Sequence, residues 1–196
     1  DEFNESELGL QWQWHANPEL YYGFPSGRLG YCRLNCVTRP ENELNLWDQP
    51  NFLLQKLPAE TFTATTKLTF NSYKGKEEAG FIIMGEDYRY ISLQCIESKY
   101  FLRVVQCKDT RTGGKEVELF SEPIDQNKIF FRIEVKEGAI CQFSYSLFGN
   151  SYKEVGEVFQ AKPGRWIGAK IGYFAVREGI TNDSGTVDID WFRIQQ

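Results

Sequence analysis

Residues 62–70 read FTATTKLTF, and the alternation in this stretch decides the fold class. Apolar side chains at Phe62, Ala64, Leu68 and Phe70 are separated by threonine and lysine. A period of two is that of a β-strand with one buried face and one solvated face. Further strand-length runs, alternating or apolar throughout, occupy residues 79–84, 91–95, 101–107, 129–135, 141–147, 167–176 and 187–194.

Turn residues stand between these runs and set their spacing. Examples are Gly113-Gly114 and Phe148-Gly149-Asn150, residue types that tolerate the backbone conformations of tight turns. Many short strands separated by turns predict an all-β fold of sandwich or barrel type. The spacing alone does not separate a jelly roll from another two-sheet packing. A length of 196 residues fits one domain, residues 1–196.

The opening segment also alternates. Leu8, Leu10, Trp12 and Trp14 are separated by glycine and glutamine, which predicts a half-buried strand. Because both tryptophans fall on its apolar side, we expect them in the core rather than in contact with a ligand. A further tryptophan, Trp47, lies in a turn-like segment, where we expect it to cap the core.

Composition and charge exclude several classes of partner. The chain has 15 Phe and 10 Tyr, and its formal net charge is −5 with the basic residues scattered. Nucleic acids and anionic membranes both demand a basic surface, so neither is expected as the main partner. No apolar run approaches the ~20 residues of a membrane span. Asp1 opens the chain without a signal segment, so we expect a processed product or an excised piece. The sequence does not decide the compartment, and a secreted or periplasmic location is slightly favoured over the cytoplasm.

The five cysteines do not form a disulfide framework, since their number is odd in a chain of this length. Cys95, Cys107 and Cys141 fall inside apolar strand patterns, where a free cysteine behaves as a small apolar residue. Cys32 and Cys36 are four positions apart, and no second cysteine pair or histidine cluster completes a metal site. A disulfide between these two stays possible.

The last strand-length run holds the nearest approach to a catalytic motif. Hydrolysis of a glycosidic bond needs two carboxyl groups, which sandwich glycanases often supply at E-x-D-x-x-E spacing. Asp188 and Asp190 alternate in this way, but Arg193 stands where the further acid would be, so no catalytic residue is predicted. The two aspartates either hold a structural calcium ion or are solvated carboxylates; the second interpretation is favoured, and no cofactor is required. Trp191 and Phe192 are neighbours, so one of them points outward.

His15 is the sole histidine. A nucleophilic triad needs a histidine base or an equivalent, and the sequence contains neither a G-x-S-x-G elbow nor a Gly-rich phosphate loop. His15 follows the tryptophan-rich segment and precedes a turn at Asn17-Pro18. A hydrogen-bonded position at a strand end is therefore favoured over contact with a sugar.

Trp166 is a candidate sugar contact. Aromatic rings bind sugars by stacking on the apolar face of the pyranose, with polar side chains taking the hydroxyl groups. Trp166 follows Arg165 at the end of a turn and has the opposite parity from Ile167 and Ala169. This position is compatible either with an outward ring next to Arg165 or with packing at the sheet edge.

Eight segments, taken in order, carry a family resemblance. They are LGLQWQWHANP at 8–18, NLWDQPN at 45–51, LLQK at 53–56, FTATT at 62–66, AGFIIMG at 79–85, FSYSL at 143–147, RWIGAKIG at 165–172 and DIDWF at 188–192. Together they resemble the concanavalin A-like C-terminal domain of family 43 glycoside hydrolases, the β-xylosidases and arabinofuranosidases. The resemblance extends from about the first residue to the last.

The resemblance implies a fold and a setting. It implies a two-sheet antiparallel β-sandwich of the concanavalin A-like jelly-roll type, and an upstream five-bladed propeller that carries three catalytic carboxylates. In such enzymes an aromatic residue on a loop of the sandwich helps to close the active-site pocket. The position matched to it here is Trp166, although the family more often has Phe there. The turn at Leu147-Phe148-Gly149-Asn150 also departs from the usual Asp-Gly turn.

The sequence thus predicts a non-catalytic accessory domain of a family 43 hydrolase acting on xylan- or arabinan-type carbohydrate. It would form the C-terminal part of a larger glycoside hydrolase, pack on the propeller and help to shape the active-site pocket. Trp166, Arg165 and His15 are its candidate carbohydrate-binding or pocket-closing residues. The alternative is an independent binding module for xylan-type polysaccharide. A free-standing sandwich enzyme is disfavoured, because the carboxylate motif is missing.

Overall fold

Strands account for nearly all of the regular structure. The computed structural model describes residues 1–72, 75–179 and 183–196. Within these ranges there is no α-helix, and the helical segments are three short 3-10 turns at Gly27–Leu29, Thr110–Thr112 and Glu137–Ala139. A helix long and apolar enough to cross a membrane is likewise absent from these ranges. The all-β prediction is confirmed.

The strands of the described residues are numbered in chain order. They are β1 Gln13–Trp14, β2 Gly23–Pro25, β3 Cys32–Asn35, β4 Val37–Thr38, β5 Leu53–Lys56, β6 Phe62–Asn71, β7 Lys76–Met84, β8 Tyr88–Ile96, β9 Lys99–Cys107, β10 Glu116–Ile124, β11 Lys128–Lys136, β12 Ile140–Ser146, β13 Lys153–Glu154, β14 Phe159–Gln160, β15 Lys170–Glu178 and β16 Thr186–Gln195.

In the described part of the chain, two sheets of eight strands each form the sandwich. Sheet A has the order β1-β5-β15-β7-β8-β9-β10, with β4 also paired to β15. Sheet B has the order β13-β12-β11-β6-β16-β3-β2, with β14 also paired to β12. The pairs are antiparallel except β4 with β15. The predicted two-sheet antiparallel sandwich is confirmed.

The main core lies between the sheets and follows the alternation of the strands. Along β6 buried and half-buried residues alternate over the whole strand, with Phe62, Ala64, Leu68 and Phe70 on the buried side. Thr66 has the same parity; its hydroxyl donates to the carbonyl oxygen of Trp191 at 2.8 Å, which satisfies a buried polar group. Burial of these apolar side chains is the main force that holds the two sheets together.

Strand β7 is buried on both faces, as its apolar run predicts. Phe81 and Ile83 face the main core, whereas Ile82 and Met84 face a second cluster on the other side of sheet A. We call this second group the outer cluster. Its buried members are Leu46, Phe52, Leu54, Ile82, Met84, Tyr88, Tyr90, Val105, Cys107, Phe174 and Val176. Trp47 packs against it half-buried, so the prediction that this tryptophan caps the core is confirmed for the outer cluster.

The opening segment differs from its predicted strand. Only Gln13–Trp14 pairs in a sheet, and Leu10 is fully exposed. The amide of Trp12 donates to the carbonyl of Gly9 at 3.0 Å, so a turn replaces the first part of the strand. Trp12 is buried in the core and Trp14 packs half-buried against it, as expected for both. Among described residues, the neighbouring pair in β16 divides as predicted, with Phe192 buried and Trp191 half-exposed.

The five cysteines are buried free thiols. Cys32 and Cys36 have the same parity in an extended segment, where four residues span ~13 Å. That separation exceeds the reach of a disulfide, so the prediction of a possible disulfide between Cys32 and Cys36 is wrong. Burial raises the pKa of the Cys32 thiol to about 12, which makes it unreactive.

Candidate functional site

Trp166 stands at the surface, on the connection from β14 to β15. Its side chain is 85 % exposed, and the neighbouring Ile167 is exposed as well. The guanidinium carbon of Arg165 lies 5.2 Å from the centroid of the indole ring, within the range of a cation–π contact. Of the two arrangements that the sequence allows, the structure has the outward ring.

The turn between β7 and β8 anchors this connection. A side chain at Gly85 would overlap the carbonyl oxygen of Lys162, so the two backbones approach as only glycine permits. The amide of Glu86 donates to the carbonyl of Pro163 at 3.2 Å. The ammonium of Lys162 lies 2.8 Å from a carboxylate oxygen of the buried Asp87. The loop that presents Trp166 is therefore fixed at its base.

A pocket of about 240 Å³ opens between this loop and the outer cluster. It is lined by His15, Trp47, Leu54, Met84, Gly85, Gly164, Arg165, Trp166, Ile167, Gly168 and Lys170. The three predicted site residues, His15, Arg165 and Trp166, thus meet in one place although they come from opposite ends of the chain. Its wall is apolar apart from the histidine and two cations.

His15 forms an inner wall of the pocket. Its backbone amide donates to the carbonyl of Phe52 at 2.9 Å, and its Nε2 lies 3.1 Å from the carbonyl oxygen of Trp47. Since a carbonyl only accepts, Nε2 carries the proton and Nδ1 is the bare acceptor. Nδ1 is buried and has no partner among the described residues. Burial lowers the pKa of His15, so the ring is a neutral wall rather than an acid catalyst.

Lys170 is a pocket residue that the sequence pattern does not reveal. It is the first residue of β15, and only 8 % of it is exposed. Its neighbour across the ladder in β5 is another lysine, Lys56. Burial, together with the charge of Lys56, lowers the pKa of Lys170. Only the register between strands far apart in the sequence shows that two lysines meet here.

Asp188 and Asp190 lie away from the pocket, in sheet B. Asp188 accepts two hydrogen bonds from Arg33, at 2.7 and 2.8 Å, and Asp190 forms an ion pair with Lys67. No group of three or more His, Cys, Asp or Glu side chains is placed to hold a metal ion within residues 1–72, 75–179 and 183–196. A calcium ion takes about six to eight oxygen ligands. Two carboxylates already paired with cations do not fit one.

Over residues 1–195 the chain matches the protein family described as the β-xylosidase C-terminal concanavalin A-like domain. The chain belongs to this family. The resemblance drawn from the eight sequence segments is thereby confirmed. The domain corresponds to the non-catalytic C-terminal part of family 43 glycoside hydrolases.

Relatives of this β-xylosidase C-terminal domain include enzymes named for two sugars. It is 25 % identical over 211 residues to a β-xylosidase of Formosa agariphila, which covers 98 % of the chain and 34 % of the relative. It is 24 % identical over 202 residues to the non-reducing end α-L-arabinofuranosidase BoGH43B of Bacteroides ovatus, covering 98 % of the chain and 36 % of that enzyme. The domain thus spans about a third of the length of these relatives.

A solved structure shares the fold. The bifunctional GH43-CE protein of Bacteroides eggerthii superposes with a TM-score of 0.84 at 24 % identity, covering all of this chain and 25 % of that one. This likeness supports the jelly-roll arrangement of the two sheets.

Proposed function

We propose that the domain works beside a catalytic five-bladed propeller in the same polypeptide and presents Trp166 at the rim of the active-site pocket. The observation that carries this proposal is an 85 % exposed tryptophan on an anchored loop. Trp166 and the neighbouring exposed Ile167 form continuous apolar surface at the mouth of the pocket, and continuous exposed apolar surface marks an interaction site. Membership of the family, and the relatives' additional length, support a catalytic partner domain.

The substrate class that we propose is xylan- or arabinan-type hemicellulose. It is supported by the names of the two relatives, a β-xylosidase and an α-L-arabinofuranosidase. The apolar lining with a few polar groups is the usual composition of a pocket that binds a sugar ring. In this arrangement the domain shapes the pocket and the propeller supplies the catalytic carboxylates.

Replacement of Trp166 by alanine tests the proposal in the full-length protein. We expect kcat/KM on an aryl xyloside or aryl arabinofuranoside to fall several-fold, because a stacked aromatic contributes about 1 kcal/mol. Trp166→Phe should retain most of the activity, since the ring is kept. Steady-state kinetics measures both variants.

The matched control is Phe148→Ala, which removes an aromatic side chain that is 79 % exposed in the turn after β12. It should leave the kinetics unchanged. Equal kinetic constants for Trp166→Ala and the parent protein would contradict the role at the rim.

The second candidate function is that of an independent binding module. It is favoured by one observation: the pocket is complete within this chain, with Trp47 and Trp166 both among its lining residues. Affinity electrophoresis of the isolated chain in gels containing a soluble neutral xylan, free of uronic acid substituents, distinguishes the two functions. Retardation of the chain supports the module, and unchanged mobility supports a role limited to the active site of the partner domain.

A further inference from the structure

At the edge of the pocket Lys170 lies opposite a second lysine, and neither has an acidic partner among the described residues. Lys170 on β15 lies opposite Lys56 on β5 and, on its other side, opposite Met84 on β7. Like charges directly opposite each other destabilise a sheet. Lys56 is exposed to water, whereas only 8 % of Lys170 is exposed, at the wall of the pocket.

The lining of the pocket offers no acid to compensate. Among the described residues that line it, the charged ones are Lys170 and Arg165, and no aspartate or glutamate is present. The causes that shift the pKa of Lys170 are burial and the cation Lys56, with no carboxylate among them. Two cations in a mostly apolar lining without an acid attract a negative charge, so the pocket favours an anion.

Several other cations on the sheet surfaces have acidic partners. Asp188 binds Arg33, and Glu178 lies 2.7 Å from the ammonium of Lys76. The protein as a whole is acidic, with a formal net charge of −5. A cationic pocket in an acidic chain is therefore a local feature of this site.

The rest of the lining selects the kind of anion. Trp47, Leu54, Met84 and Trp166 present apolar surface, which suits the C–H face of a sugar ring better than a small inorganic ion. A ligand with an apolar ring face and one carboxylate matches both the apolar lining and the two cations of the pocket. Among hemicellulose components this description fits a uronic acid.

We propose that the pocket behind Trp166 binds a uronic acid substituent of hemicellulose, with its carboxylate at Lys170 and Arg165 and its ring against Trp166. This inference rests on the proposed function in taking hemicellulose as the polymer. It adds a preference for acidic over neutral chains. The carboxylate bonds are charge-assisted, which makes them the stronger kind of hydrogen bond.

Affinity electrophoresis tests the preference with a matched pair of polymers. One gel contains glucuronoxylan, and the other contains the same polymer after its carboxyl groups have been reduced to alcohols. We expect the 196-residue chain to be retarded by the first, with a Kd at least about tenfold lower than for the second. Added salt should weaken this retardation. Equal retardation by both polymers, or none by either, would overturn the proposal.

Variants assign the preference to the pocket. Lys170→Met keeps the length of the side chain, and Arg165→Gln changes an exposed position, so at least one variant keeps the fold. Each should lose about tenfold in affinity for the acidic polymer only. Lys99→Met, which removes an exposed lysine on β9, should bind like the parent chain. Parental affinity in both pocket variants would rule out the assignment.

Binding measurements on the full-length protein distinguish two possible occupants of the pocket, the carboxylate of a glycan and the carboxylate of a protein side chain. If the propeller inserts an aspartate or glutamate into the pocket, the isolated chain prefers glucuronoxylan but the full-length protein does not, and the proposal is wrong. Kinetics also separates this inference from the role of Trp166. Trp166→Ala should slow both neutral and acidic substrates, whereas Lys170→Met should affect the acidic substrate alone.

Discussion

His15 owes its chemistry to burial. The folded protein lowers its pKa from the ordinary value of 6.5, because the ring is buried and the charged form is poorly solvated. The unfolded chain therefore binds a proton at a higher pH than the folded chain does. The contribution of the neutral His15 ring to the free energy of unfolding is fully present above the unfolded pKa of 6.5. It is lost as the pH falls through the lower pKa of the folded state.

The variant His15→Gln should remove this contribution. We expect the free energy of unfolding of the parent chain to decrease between about pH 7.5 and about pH 5.5 by more than that of the variant. The two proteins are compared by the slope of the free energy of unfolding against pH, since the other titrating groups contribute equally to both slopes. Urea unfolding at a series of pH values measures it. Identical slopes would mean that His15 has the same proton affinity in both states.

The loop between β14 and β15 is held by a close backbone contact between Gly85 and Lys162. Gly85→Ala places a methyl group on the carbonyl oxygen of Lys162, so the loop base must move. We expect a loss of about 1–3 kcal/mol of stability and faster amide hydrogen exchange in residues 161–169. Thermal unfolding and hydrogen exchange detected by mass spectrometry measure the two effects.

Gly168→Ala is the control on the same loop. A Cβ atom there meets nothing within 4 Å, so a neutral or slightly stabilising change is expected. Equal exchange in the two variants would show that the contact with Gly85 does not fix the loop.

The alternation of apolar and polar residues predicts a strand correctly where no local turn hydrogen bond competes with the extended conformation. Phe62 to Phe70 alternates in sequence and in burial, since the period of two is built into an extended chain. The opening segment alternates equally well, but a turn bond from Trp12 to Gly9 ends the extended conformation. The prediction that its two tryptophans lie in the core is still correct, because the core takes large apolar side chains from either conformation.

The candidate site was predicted only in part, for a reason that belongs to strand pairing. Trp166, Arg165 and His15 are visible in the sequence as unusual residues at turns and strand ends. Lys170 is not, because it looks like any lysine at the start of a strand. Its meaning depends on the register that places it opposite Lys56, and register between distant strands is a property of the folded chain.

The whole molecule has a double-layered core around sheet A. The main core lies between the sheets, and the outer cluster lies under the connection from β4 to β5. Leu46 is fully buried in that connection, and its amide donates to the hydroxyl of Tyr88 at 2.9 Å. We therefore expect the outer cluster to open without separation of the two sheets.

Thiol labelling reports which layer opens. Cys107 belongs to the outer cluster and Cys141 to the main core. Leu46→Ala should cost about 2–5 kcal/mol in packing and should accelerate labelling of Cys107 more than that of Cys141. Labelling with a maleimide, followed by peptide mass spectrometry, measures both rates. Equal acceleration at the two cysteines would mean that both layers open as one unit.

The free thiols have a consequence for biogenesis. Since the cysteines are reduced and buried, the folded domain does not depend on the redox potential of its surroundings. The unfolded chain does, because exposed thiols exchange with any disulfide that they meet. In an oxidising buffer, folding therefore competes with the formation of non-native disulfides. The yield of refolded protein is set by the rate of folding rather than by the stability of the folded domain.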